Sequence, residues 1–297
     1  MAEIMNPTYA TLETAIVILF LVACFHAWRR GSLLEITSAA LYGLLLEEGD
    51  ILIFQTYNYS PEFILRIDRV PVAIALAWAI IIYTCMHLSD AYGLPGMIAP
   101  FADALWAIML DLAFDAVAIR LGFWTWVIPL DKGFFGVPAG NFYAWLFVAF
   151  SFSVFTRLMR SWTRKNPSRS SWQLGIPFVA YGSLLFSMAP FFVLRNAFFP
   201  EQGGGLPIFW TVLCVFILLV VQHMVRNGTA GTAAFDWLTV ALRSSFHMYF
   251  LVGILTSGMF ASVPALLGLS IGMICVEAML ALLMWKAPKP LENVANR

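Results

Sequence analysis

Residues 70–92 read VPVAIALAWAIIIYTCMHLSDAY, and the first twenty of them contain no Asp, Glu, Lys or Arg. An apolar run of roughly 20 residues is long enough for a helix to cross roughly 30 Å of hydrocarbon. Similar runs fill most of the chain, so the sequence predicts an all-α bundle of transmembrane helices. There are nine candidate spans, at residues 11–28, 33–55, 70–92, 101–123, 140–160, 173–194, 206–226, 235–257 and 260–285. Only Ser257-Gly258 divides the last two, so eight spans are the alternative.

The composition agrees with a membrane protein. Hydrophobic residues make up 61% of the 297 residues and charged residues only 11%, with a mean hydropathy of +0.82. A soluble domain of this size needs more charge on its surface. The connections between runs are short and contain no soluble unit, so residues 1–297 are predicted to form a single integral membrane domain. The net charge is zero, which argues against a nucleic-acid partner.

Neither cysteine nor histidine forms a recognisable motif. The cysteines lie in apolar stretches without a CxxC pair, and the histidines lie on different spans without HxxxH spacing. No GxGxxG or Walker sequence is present. No metal, haem or other cofactor is therefore expected. The residues concerned are Cys24, Cys85, Cys214, Cys275, His26, His87, His223 and His247.

The distribution of Lys and Arg predicts the orientation in the membrane. With the N-terminus outside, eleven of these residues fall on inner segments and five on outer loops. Positive charge concentrates on the cytoplasmic side, so we expect the N-terminus outside and the C-terminus inside. The segment from Arg157 to Arg169 contributes most of the difference, and the tail residues Lys286, Lys289 and Arg297 add to it.

Two predicted spans contain acidic residues at membrane depth. The second span carries Glu47, Glu48 and Asp50 within LLLEEGDILIF, and the fourth carries Asp111 and Asp115 within AIMLDLAFDAVAI. A carboxylate in the bilayer is costly and usually faces the bundle interior with a function. These positions are therefore the candidate site.

The spacing of these acids predicts that they meet. Asp111 and Asp115 are separated by four residues and share one helix face. Burial and mutual repulsion favour a proton on one of them near neutral pH, which makes it a candidate general acid. About 14 residues, or roughly 21 Å, separate Glu47 from the start of its span, and the same holds for Asp115. Both helices start on the same side, so Glu47 and Asp115 are expected at one depth in the outer half of the membrane.

Buried carboxylates also have a structural interpretation. They can pair with arginines such as Arg120, Arg66 or Arg243, or cap a helix joint. For one residue alone the two interpretations are balanced. Two acidic groups at the same depth in the membrane favour the functional interpretation.

Aromatic residues follow the acidic spans. Tyr57 and Tyr59 come after the second span, Trp124 and Trp126 come after the fourth, and Trp145 lies in the fifth. Each alone is typical of the interfacial aromatic belt. Together they are candidates for a pocket wall that stabilises a carbocation through cation–π contact.

At this point the residues resemble a known family, the membrane-embedded carotenoid biosynthesis proteins that include the carotenoid 1,2-hydratases of the bisanhydrobacterioruberin hydratase type. The resemblance is strongest over residues 42–145. It rests on the ordered motifs YGLLLE at 42–47, TYNYSPEF at 56–63, VPVAIALAWAIIIY at 70–83, LDLAFDAVAIRLGFWTW at 110–126 and GVPAGNFYAW at 136–145.

The resemblance implies an enzyme of a prokaryotic inner membrane that hydrates the terminal double bond of an acyclic carotenoid such as lycopene, without a cofactor. Its partners would be a carotenoid or isoprenoid lipid and the membrane lipids, with further membrane-complex partners possible. By position, Asp115 or Glu47 would donate the proton, and Asp111 or Asn141 would hold water. The implied substrate-binding residues are Tyr57, Tyr59, Trp78, Trp124, Trp126, Asn141 and Trp145.

Other functions stay open at this stage. A carotenoid cyclase starts with the same protonation, but an internal double bond traps the cation. A prenyltransferase would use Asp111 and Asp115 to hold magnesium and diphosphate, but it wants more acidic and basic residues nearby. A non-catalytic subunit would hold carotenoid within a photosynthetic or respiratory complex. A transporter has little support, because no inverted repeat is visible.

Overall fold

The structure, a computed structural model, describes residues 7–227 and 235–286. Within these residues each of the nine predicted regions contains a long helix. The long helices are α1 (Pro7–Arg29), α2 (Leu33–Phe54), α3 (Val72–Ala91), α4 (Ala99–Ala118), α5 (Ala139–Thr163), α6 (Ile176–Phe198), α7 (Leu206–Asn227), α8 (Trp237–Thr256) and α10 (Pro264–Lys286). The four-residue helix α9 spans Met259–Ser262, and a 3₁₀ helix at Pro167–Gly175 precedes α6.

Seven helices are long and apolar enough to cross a membrane: α1, α3, α5, α6, α7, α8 and α10. The protein is therefore an all-α integral membrane protein. The other two long helices, α2 and α4, each carry more than two acidic residues. The acidic residues of α2 and α4 are Glu35, Glu47, Glu48, Asp50, Asp103, Asp111 and Asp115.

The last two predicted spans are separate helices. Gly258 follows α8 with a φ of 76°, in the left-handed region that glycine adopts most readily. The short α9 comes next, and Pro264 opens α10, where its fixed φ suits a first helical position. The tail residues Lys289 and Arg297, used above to predict orientation, lie outside the described residues.

Helix α4 is the centre of the bundle. Seventeen of its 20 residues are buried, and it contacts α3, α5, α7, α8 and α10. A helix enclosed on all sides is typical of a bundle core. The surrounding helices expose large apolar side chains, for example Phe186 and Val225. An apolar exterior of this kind suits contact with lipid tails.

A glycine brings α2 and α3 close together. A Cβ atom added at Gly43 would lie 2.7 Å from the Cβ of Trp78 and 2.9 Å from the carbonyl oxygen of Ala75. Only glycine fits this close approach. One helical turn after Gly43, α2 carries Glu47, which is thereby held beside the Trp78 indole.

The connections contain two short β-ribbons, which the all-helix prediction missed. Strand β1 (Tyr57–Tyr59) pairs antiparallel with β4 (Trp124–Trp126), and β2 (Arg66–Ile67) pairs with β3 (Val70–Pro71). β-branched and aromatic residues favour strands. The first ribbon therefore joins the Tyr-x-Tyr and Trp-x-Trp motifs, which are 67 residues apart in sequence.

Candidate active site

Four of the five predicted acidic residues, Glu47, Asp50, Asp111 and Asp115, line one cavity of about 420 Å³. Glu48 is not among the lining residues, and its carboxylate accepts a hydrogen bond from the Arg69 backbone N–H instead. Its walls come from α2, α3, α4, α5 and α6, together with the β1–β4 ribbon. Glu47, Asp111 and Asp115 reach it from two different helices, as their matched depths predict. We call these three residues the acid cluster. Each is at most 7% exposed.

Glu47 accepts three side-chain hydrogen bonds. The hydroxyls of Tyr57 and Tyr59 donate to Oε2 at 2.5 and 2.6 Å, and the Trp78 indole N–H donates to Oε1 at 2.6 Å. Alternate residues of a strand point to the same face, so the Tyr-x-Tyr spacing directs both hydroxyls at one carboxylate. Several short donors on a carboxylate stabilise its ionised form.

The two tyrosines remain donors over the whole accessible pH range. Burial, reinforced by the neighbouring Glu47 carboxylate, raises the pKa of Tyr57 and the pKa of Tyr59 well above the usual value. Both hydroxyls therefore stay protonated. Their ring centroids lie 5.6 Å apart in an edge-on arrangement, which keeps the pair in place.

Asp111 and Asp115 share a single amide donor. Asn141 Nδ2 donates to Asp111 Oδ2 at 3.1 Å and to Asp115 Oδ2 at 2.6 Å. The Trp124 indole N–H donates to the second oxygen of Asp115 at 2.8 Å. Oδ1 of Asp111 is buried and has no hydrogen-bond partner among residues 7–227 and 235–286. Of the four carboxyl oxygens of the pair, this one accepts no hydrogen bond from that part of the chain.

The β1–β4 ribbon connects the two parts of the acid cluster. Its register places Tyr57 opposite Trp126 and Tyr59 opposite Trp124. Tyr59 donates to Glu47 while Trp124 donates to Asp115, so one cross-strand pair holds carboxylates from both α2 and α4. All four aromatic residues of the ribbon line the cavity.

The remaining predicted binding residues also lie on the cavity wall. Trp78 and Trp145 have ring centroids 4.1 Å apart, and Phe114 packs edge-on against Trp145 at 5.7 Å. Tyr57 and Trp126 are 4.9 Å apart. The faces of aromatic rings are electron-rich and attract a cation.

The arginines considered as partners pair elsewhere. Arg120 donates to the carbonyl oxygens of Ala116 and Phe135, each at 2.8 Å, and Arg66 donates to a carbonyl oxygen in its own hairpin. Arg243 pairs with Glu277 at 2.5 Å. Within residues 7–227 and 235–286, no salt bridge involves a member of the acid cluster. The structural interpretation of these acids therefore has no cation to rest on.

The sequence matches the family of carotenoid biosynthesis proteins over residues 5–208. The chain belongs to this family. The match covers more than half of the 297 residues and includes residues 42–145, on which the resemblance rested. No curated protein and no solved structure matches the sequence. Every residue of the acid cluster and of the β1–β4 ribbon lies within the region assigned to the carotenoid family.

The cavity wall of this carotenoid-family protein also includes Asp50, which the sequence grouped with Glu47 without a role, and Phe114, which sequence reasoning left out. Asp50 lines the cavity and accepts a hydrogen bond from the Tyr181 hydroxyl at 3.2 Å. Gly49 leaves room for that tyrosine, since an added Cβ would lie 2.2 Å from its hydroxyl oxygen. The Glu-Glu-Gly-Asp sequence was a usable signal for Asp50. Phe114 carried no signal, because it is one of 26 phenylalanines.

Proposed function

We propose that this protein is a carotenoid hydratase, a hydro-lyase that adds water to the terminal double bond of an acyclic carotenoid such as lycopene. One observation carries the proposal. Two buried carboxyl groups, Asp111 and Asp115, share one amide donor on the wall of a largely apolar cavity, without a salt bridge in the described part of the chain. Protonating a hydrocarbon requires an acid of this kind, held away from bulk water.

The hydrogen-bond pattern favours Asp111 as the proton donor. Both oxygens of Asp115 accept N–H donors, which stabilises Asp115 as the carboxylate. Two adjacent buried carboxyl groups do not both ionise, so they share one proton. Asp111 Oδ1 accepts no hydrogen bond and is the oxygen for that proton. From sequence alone Asp115 or Glu47 was the expected donor. The three donors on Glu47 favour it as a fixed anion instead.

The surroundings support a positively charged intermediate. Ionised Glu47 places a negative charge at the cavity wall, and Trp78 and Trp145 present aromatic rings beside it. A fixed charge in a water-poor site stabilises developing charge more strongly than the same charge in water. The cavity thus complements a tertiary carbocation, which is the species that follows protonation.

The reaction balances without a redox partner. The π electrons of the terminal double bond form a C–H bond at C2 with the Asp111 proton, leaving a cation at C1. The oxygen of a water molecule bonds to C1, and its surplus proton returns to the Asp111–Asp115 pair. The net change is addition of one water to the carotenoid, and the pair again holds one proton.

The same proposal includes the arrangement in the membrane. We infer nine spans, with α2 and α4 crossing alongside the seven apolar helices, because α4 is enclosed by other helices and α2 packs along α1, α3 and α6. The N-terminus is then outside and the C-terminus inside, in the inner membrane of a prokaryotic cell. The substrate is a carotenoid drawn from the surrounding lipid.

The test is conversion of lycopene in a host that accumulates it, with the pigments analysed by liquid chromatography and mass detection. A hydratase yields a product heavier by one water, and the product disappears in the Asp111→Asn variant. A product of unchanged mass would identify a cyclase instead. Unaltered lycopene that co-purifies with the chain and other membrane subunits would identify a non-catalytic carotenoid-holding subunit.

A further inference from the structure

A second cavity of about 300 Å³ adjoins the acid cavity. It lies between α1, α3, α4 and α8. The two cavities have four lining residues in common: Ile74, Ala77, Phe114 and Trp124. The acid cluster does not line the second cavity, so that cavity has no part in the chemistry proposed above.

The lining of the second cavity suits a hydrocarbon. Its three polar side chains all donate hydrogen bonds elsewhere. Ser245 donates to the Ala241 carbonyl at 2.9 Å, Tyr249 to the Thr8 carbonyl at 3.2 Å, and Trp124 to Asp115. The other lining residues are apolar. A cavity with no free donor favours an apolar occupant over water.

Phe114 stands between the two cavities. Its ring stacks on Phe250 at 4.7 Å on the side of α8 and packs edge-on against Trp145 at 5.7 Å on the side of the acid cavity. A run of aromatic rings from Phe250 through Phe114 to Trp145 suits contact with a flat conjugated chain. The passage from one cavity to the other therefore runs beside Phe114.

The second cavity reaches the lipid-facing surface between α1 and α8. Ile18 of α1 lines the cavity and is 55% exposed. Two contacts connect the ends of these helices. The Tyr249 hydroxyl, at the edge of the cavity, donates to the Thr8 carbonyl, and Arg30, directly after α1, donates to Asp236, directly before α8, at 3.2 Å. The gap between these two contacts is the route by which an apolar chain can enter from the membrane.

A buried ion pair fixes the α8 wall. Arg243 is fully buried and donates to Glu277 of α10 and to the Trp106 carbonyl of α4, at 2.5 and 2.8 Å. Helix α8 lies beyond residues 5–208, which the family shares. This wall is thus a feature that the family assignment does not explain.

We propose that the second cavity holds the polyene chain of the substrate, while its terminal double bond lies in the acid cavity, and that the chain enters from the lipid between α1 and α8. This inference rests on the proposed function for the identity of the occupant. It adds that α8 contacts the chain of the substrate through the residues that line the second cavity.

The test compares two neighbouring serines of α8. Ser245 lines the second cavity, whereas Ser244 is exposed on the bundle surface. Ser245→Phe fills the cavity and is expected to lower lycopene conversion by at least about ten-fold, while Ser244→Phe leaves it unchanged. Ala15→Phe fills the same cavity from α1 and is expected to act alike.

Myrcene is the short probe, because this C10 hydrocarbon has the same terminal double bond and no long chain. Ser245→Phe is expected to hydrate myrcene as the wild type does. Equal conversion of lycopene by wild type and both cavity variants overturns the proposal, as does parallel loss of myrcene and lycopene conversion in variants with unchanged thermal unfolding.

Binding separates this inference from the proposed function. Lycopene bound to the purified chain is measured by its visible circular dichroism, which needs no turnover. Binding by the wild type that is lost in Ser245→Phe and kept in Ser244→Phe supports the second cavity even if no hydration occurs. A wild type that binds no lycopene, or a Ser245→Phe variant that binds it fully, overturns the inference.

Discussion

Helices α2 and α4 each contribute to two groups of buried acids, and the two groups have opposite surroundings. Toward one end of the bundle, Glu35 and Asp103 join Asp90 of α3 around Arg157 and Arg160, which we call the arginine cluster. Arg160 binds Glu35 at 2.6 Å and Asp90 at 2.7 Å, and Arg157 binds Asp103 at 3.1 Å. Toward the other end, the hydrogen-bond donors that the described residues offer to the acid cluster are all neutral.

We expect this difference to separate acids that stabilise the fold from acids that can exchange a proton. A buried carboxylate paired with arginine stays ionised and cannot give up a proton. A buried carboxyl group that faces neutral donors and a second carboxyl group can keep one. Burial alone does not distinguish them, because Asp103 and Asp111 are each 1% exposed. The groups that contact each carboxyl group distinguish the two clusters.

The largest expected effect comes from removing the proposed acid. Asp111→Asn keeps the size of the side chain but has no acidic proton, so the rate of lycopene hydration should fall by about 10²–10⁴-fold. Product formation per folded molecule measures this. Asp103→Asn, two turns earlier on α4, is the matched control and should keep its rate per folded molecule. Equal losses in both variants would contradict the distinction between the clusters.

Breaking the arginine cluster should affect stability instead. Arg157→Met leaves Asp103 buried without its cation, at a cost of about 3–5 kcal/mol in the free energy of unfolding. Thermal unfolding in detergent would show the loss. Arg164→Met, at an exposed position on the same segment, should unfold like the wild type. A stable Arg157→Met protein with a lowered hydration rate would show that the arginine cluster belongs to the active site.

Adding a cation should make the acid cluster resemble the arginine cluster. Asn141→Lys places an ammonium group between Asp111 and Asp115, which then both ionise. The hydration rate should fall by about 100-fold because no shared proton remains, while the unfolding temperature stays the same or rises. Asn141→Leu is the uncharged comparison and should lose less activity. A fully active Asn141→Lys variant would argue against the shared proton.

The smallest effect is expected from removing one of the hydrogen-bond donors to Glu47. Tyr59→Phe removes one of three hydrogen bonds, so the hydration rate should fall by about five-fold. Tyr92→Phe removes a similar hydroxyl, which donates to the Leu280 carbonyl at 2.9 Å away from the cavity. That control should hydrate lycopene at the wild-type rate. A hydration rate that falls in Tyr92→Phe but not in Tyr59→Phe would argue against a role of Glu47 in the mechanism.

Local pattern was enough to predict the helices and to select the acid cluster. Hydropathy depends on neighbouring residues only, and the four-residue spacing of Asp111 and Asp115 fixes their common face. The same reasoning missed the pairing of Tyr59 with Trp124 and the position of Phe114 on the cavity wall. Strand pairing across 67 residues leaves no periodic signal in either three-residue segment. Sequence reasoning also did not single out Glu35 and Asp103, because nothing in the sequence distinguished them from the other acidic residues.

The sequence by itself determined that this chain is a bundle of apolar helices with acids at membrane depth, because the cost of exposing polar groups to lipid acts on each segment separately. It also determined the carotenoid family, through motifs in order. Only the tertiary structure decided which acids meet arginines and which face tyrosine, tryptophan and asparagine. That outcome depends on contacts between distant helices, such as Glu35 with Arg160, 125 residues away. The local chain does not encode such contacts in any readable pattern.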